Sequence, residues 1–254
     1  MLRTPIALAL AACLPACAPA AAPTAEPGPT TTVSTTTTTT PTVPLADRPG
    51  VAVFPFTNGG SFGRGREDLA ALEVGIQQML LTELHQNTGL RVVERSALRE
   101  MLGEQDLGTA GRVDAATAAR VGRLVGARYA ITGTFMDLNG NFRLDGRIVD
   151  VETGEILRAV RIENQRRDHL YRLLVDLAQQ ITAGVNLPPL ARAAQQERRA
   201  RNVPDEATTM YSRALIYAEN GDTEQAIELY RQIVRRFPDY TEAREELRQM
   251  EEDA

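Results

Sequence analysis

The sequence predicts an α/β protein, a mixed-sheet sandwich with helices packed on the sheet, followed by a small all-α module. Three observations predict this class. A continuous apolar run at residues 51–56 and a later meander of three segments separated by turn signals are typical of strands. Segments with apolar residues at helical spacing lie between and after them. Near the C-terminus, Pro204 and Pro238 are 34 residues apart and each is followed by Asp, which is the period of a helical repeat.

Residues 1–17 have the features of a secretory signal peptide. A short positive segment precedes an apolar run at residues 6–12, which is too short to span a bilayer as a helix. Small residues precede Cys13, whereas Cys17 gives a more usual signal length. We therefore expect a lipoprotein signal acylated at Cys13 or Cys17, with plain cleavage at an Ala-rich site as the alternative. Neither cysteine is followed by Asp, which favours the periplasm with an outer-membrane anchor.

Residues 18–49 are low in complexity, first rich in Ala and Pro and then in Thr. Such a segment has too little apolar surface to offset its ordering entropy, so a disordered linker is expected. The net charge of the 254-residue chain is −5, which argues against nucleic acid as a partner. All 28 basic residues are Arg, so no Lys nucleophile or phosphate-binding Lys exists. No Cys follows Cys17, so the folded part has no disulfide or thiolate metal site.

The α/β domain is predicted over residues 50–186. Its order is strand, helix, strand, two helices, three strands and a closing helix, with Gly89 ending the first helix and Ser96 and Asp114 placed to cap the next two. Asn139-Gly140 is a type I′ hairpin signal. The expected strands are 51–56, 90–94, 128–137, 141–151 and 155–163, and the expected helices are 67–86, 96–105, 115–125 and 167–185.

Four sequence blocks of this domain, VAVFPF, VVERSALREML, GARYAITGTF and VDVETGEIL, resemble those of the curli-secretion-channel (CsgG) family, in the family order. The domain is also similar, more distantly, to the peptidoglycan-synthase activator LpoB and the N-terminal domain of TolB. The resemblance implies this fold and a cell-envelope setting. Channel-forming members carry long amphipathic insertions that become transmembrane hairpins, whereas only residues 137–141 connect the corresponding strands here. The resemblance therefore does not imply a pore.

Residues 204–254 are predicted to form one tetratricopeptide repeat with a capping helix, preceded by a polar helical linker at 187–203. Gly221-Asp222 separates the two repeat helices. The repeat could dock on the α/β domain, pair with a second copy or bind an extended peptide, for which Tyr211 and Leu215 are the candidate contacts. The polar linker favours a separable contact module. The consensus positions are filled by Ala214, Tyr217, Ala226, Tyr230, Ile233 and Pro238.

For each of the other candidate sites, the sequence favours a structural role over a catalytic or ligand-binding role. A glycine-rich loop at residues 59–65 joins a strand to a helix, but Asp68 would repel a phosphate there and no Lys is present. The isolated histidines are expected at the surface or at helix ends (His85, His169). The charges that alternate along one strand are expected to pair across strands on an exposed sheet face (Arg143, Asp145, Arg147, Asp150). The arginine clusters are expected to form a solvated face, with contact to anionic lipid or glycan as the alternative (Arg166, Arg167, Arg198, Arg199, Arg201). We therefore expect no catalytic, cofactor or metal site.

These patterns predict a non-enzymatic, lipid-anchored periplasmic adaptor in cell-envelope assembly. Curli or polysaccharide secretion and regulation of peptidoglycan synthesis are the candidate processes. The expected partners are envelope proteins, outer-membrane lipid through the anchor and further copies of the chain. The alternative functions are a subunit of an outer-membrane secretion channel and, from a third class, an enzyme or a nucleotide-binding module that uses the glycine-rich loop.

Overall fold

The computed structural model describes residues 44–61, 66–104, 113–185, 190 and 192–252. These residues contain a mixed sheet with strand order β3-β1-β4-β5-β6, in which β2 pairs with β4 away from that path. The β1 strand is parallel to β3 and β4, while β4, β5 and β6 are successively antiparallel. The strands are β1 (Gly50–Val53), β2 (Thr57–Asn58), β3 (Arg91–Val92), β4 (Tyr129–Leu138), β5 (Asn141–Asp150) and β6 (Ile156–Arg166).

Eight α-helices lie within the described residues, together with 3₁₀ turns at Leu45–Asp47 and Arg167–His169. The first four helices belong to the α/β domain, and the last three form the repeat and its cap. None of these described helices is long and apolar enough to cross a membrane. The helices are α1 (Arg66–His85), α2 (Arg95–Glu104), α3 (Ala115–Leu124), α4 (Leu170–Gly184), α5 (Arg192–Ala200), α6 (Asp205–Glu219), α7 (Thr223–Arg236) and α8 (Thr241–Glu252).

The observed elements confirm the predicted α/β class and mixed sheet. Asn139 and Gly140 both have positive φ, 56° and 89°, as a type I′ turn between β4 and β5 requires. Asp114 caps α3 by accepting a hydrogen bond from the Thr117 amide. Ser96 is not a cap, because α2 already begins at Arg95.

The first predicted strand is divided in two. The β1 strand ends at Val53, and Thr57–Asn58 then forms β2, which pairs with β4. Pro55 has no amide hydrogen and cannot continue the ladder, which explains the interruption. The sequence pattern missed β2 because two residues show no periodicity.

The sheet buries both of its faces over β1. Val51 and Val53 face the core made with α1 and α4, whereas Ala52 and Phe54 face the smaller core made with α2 and α3. All four side chains are at most 1% exposed. This two-sided burial accounts for the continuous apolar run, as expected for a central strand.

The repeat shares the larger core with the α/β domain. Residues Pro41–Ala254 form one compact unit, and the core on α1 and α4 continues without a break into α6 and α7. Of the three possibilities, docking on the α/β domain is therefore what the structure shows, in contrast to the expectation of a separable module. The predicted signal, with Cys13 and Cys17, and most of the predicted linker lie outside the described residues.

Candidate functional site

The helices α6 and α7 of the repeat pack against each other. Ala214 and Ala226 are fully buried, which allows α6 and α7 to approach closely. Gly221 adopts a φ of 79° between the two helices, and Asp222 caps α7 by accepting from the Gln225 amide. Of the other consensus residues, Tyr230 and Ile233 are buried, Tyr217 is half-buried and Pro238 is exposed before α8.

The face of α6 predicted to meet a partner is covered by the chain itself. Tyr211 and Leu215 are 1% and 2% exposed, and α1 packs along α6. At the crossing, a Cβ atom added to Gly75 would lie 1.7 Å from the Ser212 Oγ and 2.6 Å from its Cβ. Only glycine permits this approach, so α1 occupies the position that a peptide ligand would need in order to reach Tyr211 and Leu215.

Polar contacts fix the repeat to the α/β domain along its length. Arg213 of α6 forms an ion pair with Asp68 of α1, and Arg95 of α2 forms another with Glu219 at the end of α6. A further contact joins the Thr209 hydroxyl to the Arg167 Nη2, at 3.0 Å. These contacts hold α6 at both of its ends.

The strongest polar feature is a buried ion cluster of Glu83, Tyr171, Arg198, Arg201 and Glu242. The Arg198 Nε lies 2.8 Å from the Glu83 Oε2, and its Nη2 lies 3.0 Å from the Glu242 Oε1. The Arg201 Nη1 is 2.9 Å from the same Glu242 oxygen. Two arginines thus balance two glutamates, and the cluster joins α1, α4, α5 and α8.

The ion cluster is buried, and it therefore has a structural role between the helices. Glu83, Arg198 and Glu242 are 4%, 7% and 8% exposed, which requires each charge to be paired. The Tyr171 hydroxyl donates to the Glu83 Oε1 at 3.2 Å, and burial raises the pKa of Tyr171, so this hydroxyl stays neutral. The sequence suggested that Arg198 was solvated or touched an anionic surface, which the burial contradicts.

Next to the ion cluster, a group of packed tyrosine rings connects α4 to the repeat. Tyr211 lies 5.8 Å from Tyr230 and 5.1 Å from Tyr240 between ring centroids, and Tyr240 meets Tyr171 edge-on at 6.3 Å. Burial raises the pKa of Tyr211 and Tyr240. Such packed aromatic pairs add stability beyond their buried area, so repeat and α/β domain are held together by apolar, aromatic and ionic contacts.

The charged residues on β5 are only partly on an exposed face. Asp145 accepts from the Arg143 Nε at 2.6 Å and, across the strands, from the Arg161 Nε at 2.8 Å. Partial burial alone would raise the pKa of Asp145. The hydrogen bonds and positive charges of Arg143 and Arg161 outweigh it and lower the pKa below its ordinary value. Asp150 differs from the prediction, because it is 6% exposed and accepts from the Glu152 and Thr153 amides in the following turn.

The remaining candidate residues do not form a metal-binding cluster among the described residues. His85 and His169 are exposed, and within the described ranges no three His, Cys, Asp or Glu side chains are grouped to hold a metal. Residues 62–65 of the glycine-rich loop lie outside the described residues. Asp68, at its far end, is paired with Arg213.

Two family models match the chain. Residues 32–146 match the curli production assembly/transport component CsgG, and residues 207–247 match a tetratricopeptide repeat. The chain thus carries a CsgG-type segment followed by a tetratricopeptide repeat, which confirms the resemblance read from the motifs. The first match begins before the predicted domain and ends within β5. No curated protein sequence matches the chain.

Several solved structures are similar to the chain at low identity. The C-terminal domain of LpoB from Escherichia coli has 19% identity and a TM-score of 0.37, over 46% of this chain and 83% of that chain. TolB from Acinetobacter baumannii has 13% identity and a TM-score of 0.32, over 55% and 27%. A PelC dodecamer from Paraburkholderia phytofirmans has 13% identity and a TM-score of 0.32, over 58% and 93%. These likenesses concern the fold alone.

Proposed function

We propose that this chain is a non-enzymatic, lipid-anchored periplasmic protein that acts as an adaptor or accessory factor in cell-envelope assembly. The observation that carries the proposal is the joining of a CsgG-type segment to a tetratricopeptide repeat through one continuous core. The first family supports the envelope setting, and the repeat, which packs against α1, supports the domain that makes the contacts. Curli or polysaccharide secretion and regulation of peptidoglycan synthesis are the processes that fit, with envelope proteins or further copies of the chain as partners.

The partner surface is proposed to lie away from the face of α6 that α1 covers. Tyr211 and Leu215 would become available only if α1 left its place, which the buried ion cluster opposes. Among the described residues the outer face of β5 and β6 is exposed, with Arg147 exposed and the Arg161 side chain 60% exposed. We therefore propose that the partner protein binds this arginine-bearing face. The repeat stabilises the α/β domain by packing against it.

The competing function is a subunit of an outer-membrane secretion channel. Asn139-Gly140 alone joins β4 to β5, and residues 151–155 join β5 to β6. Channel relatives are expected to carry their membrane-crossing segments as insertions in this meander. The short connections therefore favour the adaptor over the channel.

We expect the purified full-length chain to produce no unitary conductance in planar bilayers, because its meander strands are joined by short turns. The measurement is single-channel recording over a range of protein concentrations, with a known channel-forming CsgG protein as the positive control. Reproducible conductance steps from this chain, absent from protein-free bilayers, would favour the channel and reject the adaptor proposal.

We expect the mature protein to be acylated at Cys13 or Cys17 and to sediment with outer membranes. The reason is the short apolar segment directly before the two cysteines. Metabolic labelling with a palmitate analogue, followed by membrane fractionation, measures both properties. The double variant Cys13→Ser/Cys17→Ser should lose the label and the membrane association, and each single variant shows which cysteine is used. An unlabelled parent protein would contradict the anchor.

A further inference from the structure

The last strand of the sheet, β6, has one edge that is not paired with another strand. Within residues 44–61, 66–104, 113–185, 190 and 192–252, β6 pairs with β5 alone. Along such an edge the N–H and C=O groups of alternate residues point away from the sheet and are available to an added strand. Pairing with β5 is regular from Arg158 to Ile162, between two irregularities in register. This regular stretch can accept a short extended segment.

The β6 edge has an exposed arginine on each face of the sheet. Val160 and Ile162 face the core with α4, so Arg161 lies on the opposite face, where its side chain is 60% exposed. Arg158 lies on the α4 side, since a Cβ atom added to Gly184 would lie 2.8 Å from the Arg158 Cδ, and it is also exposed. A strand added to this edge would therefore meet a positive charge on both of its faces.

The charge along β6 is positive overall. Arg161 shares the Asp145 carboxylate with Arg143, and Arg158 forms no ion pair with a described residue. Three arginines and one glutamate lie in β6 itself, namely Arg158, Arg161, Arg166 and Glu163. An added strand that carries carboxylates would complement these charges, whereas β6 of a second copy would bring one positive strand against another.

We infer that β6 binds an extended acidic segment of a partner protein, which adds to the sheet as a further strand. Two carboxylates three residues apart in this segment would lie opposite Arg158 and Arg161, one on each face of the sheet. The inference rests on the proposed function, and it names the chemistry of the partner that meets the arginine-bearing face at its β6 edge.

The probe is the peptide acetyl-Thr-Val-Glu-Val-Thr-Glu-Val-Thr-amide, which has β-branched residues and glutamates at this spacing. Titrated into the full-length chain at low salt, it should give saturable NMR shifts of the β6 backbone amides. The control peptide has glutamine in place of each glutamate. It should bind about tenfold more weakly, because each exposed ion pair contributes roughly a factor of two to five in affinity.

The variant Arg158→Gln/Arg161→Gln removes both charges from the edge. It should bind the acidic peptide about tenfold more weakly than the parent does, and no more tightly than the control peptide. The matched control is Arg231→Gln/Arg235→Gln, which removes two arginines of α7 whose side chains are 49% and 63% exposed. This control should bind the acidic peptide as the parent does. Retention of the amide spectrum away from β6 shows that both variants are folded.

Hydrogen exchange separates strand addition from a purely electrostatic contact. With about 90% of the chain bound, the β6 amides that point away from β5 should exchange about tenfold more slowly, because only the free tenth is open to exchange. The inference is overturned by a lack of saturable shifts, by shifts without this protection, by equal affinity for the two peptides, or by protection of β6 through a second copy in the free chain. Acylation and bilayer conductance of the same chain test the proposed function, so its failure is distinguishable from that of the acidic segment.

Discussion

Replacing Gly75 with alanine is expected to destabilise the whole protein, although alanine is the better helix former. In an open helix the change would gain roughly 0.5–1 kcal/mol. Here the new Cβ would lie 1.7 Å from the Ser212 Oγ, so α1 and α6 must separate or shift. Overpacking of this kind costs about 1–3 kcal/mol. Chemical denaturation, followed by circular dichroism, measures the change in the free energy of unfolding.

Gly103→Ala is the matched control. Gly103 lies in α2, and no atom of the described residues lies within 4 Å of a Cβ placed there, so this variant should be neutral or more stable. The double variant Gly75→Ala/Ser212→Gly removes the side chain that collides. It should be less destabilised than the sum of its single changes, with a coupling of about 0.5–3 kcal/mol. A Gly75→Ala protein as stable as the Gly103→Ala protein would show that the two helices do not meet as described.

The same experiment distinguishes an integral repeat from a separable one. Because the core on α1 and α4 continues into α6 and α7, one cooperative transition is expected, and Gly75→Ala should shift all of it. A separable repeat would melt in its own earlier step, and that step alone would move. Two transitions of this kind would support the hypothesis of a separable repeat, which the polar linker at residues 187–203 suggested.

Arg198→Met should have the larger effect, a loss of about 3–5 kcal/mol in the free energy of unfolding. The variant keeps much of the side-chain volume but leaves Glu83 and Glu242 buried with Arg201 as the remaining cation. A buried carboxylate that has lost its partner is unfavourable, because its charge is neither hydrated nor paired. Urea denaturation measures the change in the free energy of unfolding.

Arg199→Met provides the control from the next residue. Arg199 pairs with Asp176 through side chains that are 52% and 40% exposed, and such surface pairs contribute at most about 1 kcal/mol. Equal losses for the two variants would mean that Arg198 is solvated, and the ion cluster would not be the joint between repeat and α/β domain.

Hydrophobic periodicity and turn signals in the sequence predicted most of the helices and strands of the fold. Asn139-Gly140 predicted the hairpin because few residue pairs accept positive φ twice in succession. The 34-residue spacing of Pro204 and Pro238 predicted the repeat, and the positions of Ala214 and Ala226 at the helix contact followed from it. The two-residue strand β2 was missed because it is too short to show a pattern.

The sequence could not show which element covers which surface. A helical stripe shows that Tyr211 and Leu215 face something apolar, but an external peptide and the chain's own α1 would leave the same pattern. One local signal was available. Gly75 lies in the middle of a long predicted helix, where a glycine costs stability unless another backbone must come close.

By itself, the sequence determined the α/β class, the order of strands and helices, the repeat and the resemblance to CsgG proteins, because each depends on local spacing along the chain. Only the tertiary structure decided that α1 covers the repeat and that Arg198 is buried. The physical reason is that burial of a polar side chain depends on partners distant in sequence. Arg198 and Glu83 are 115 residues apart, and no period along the chain relates them.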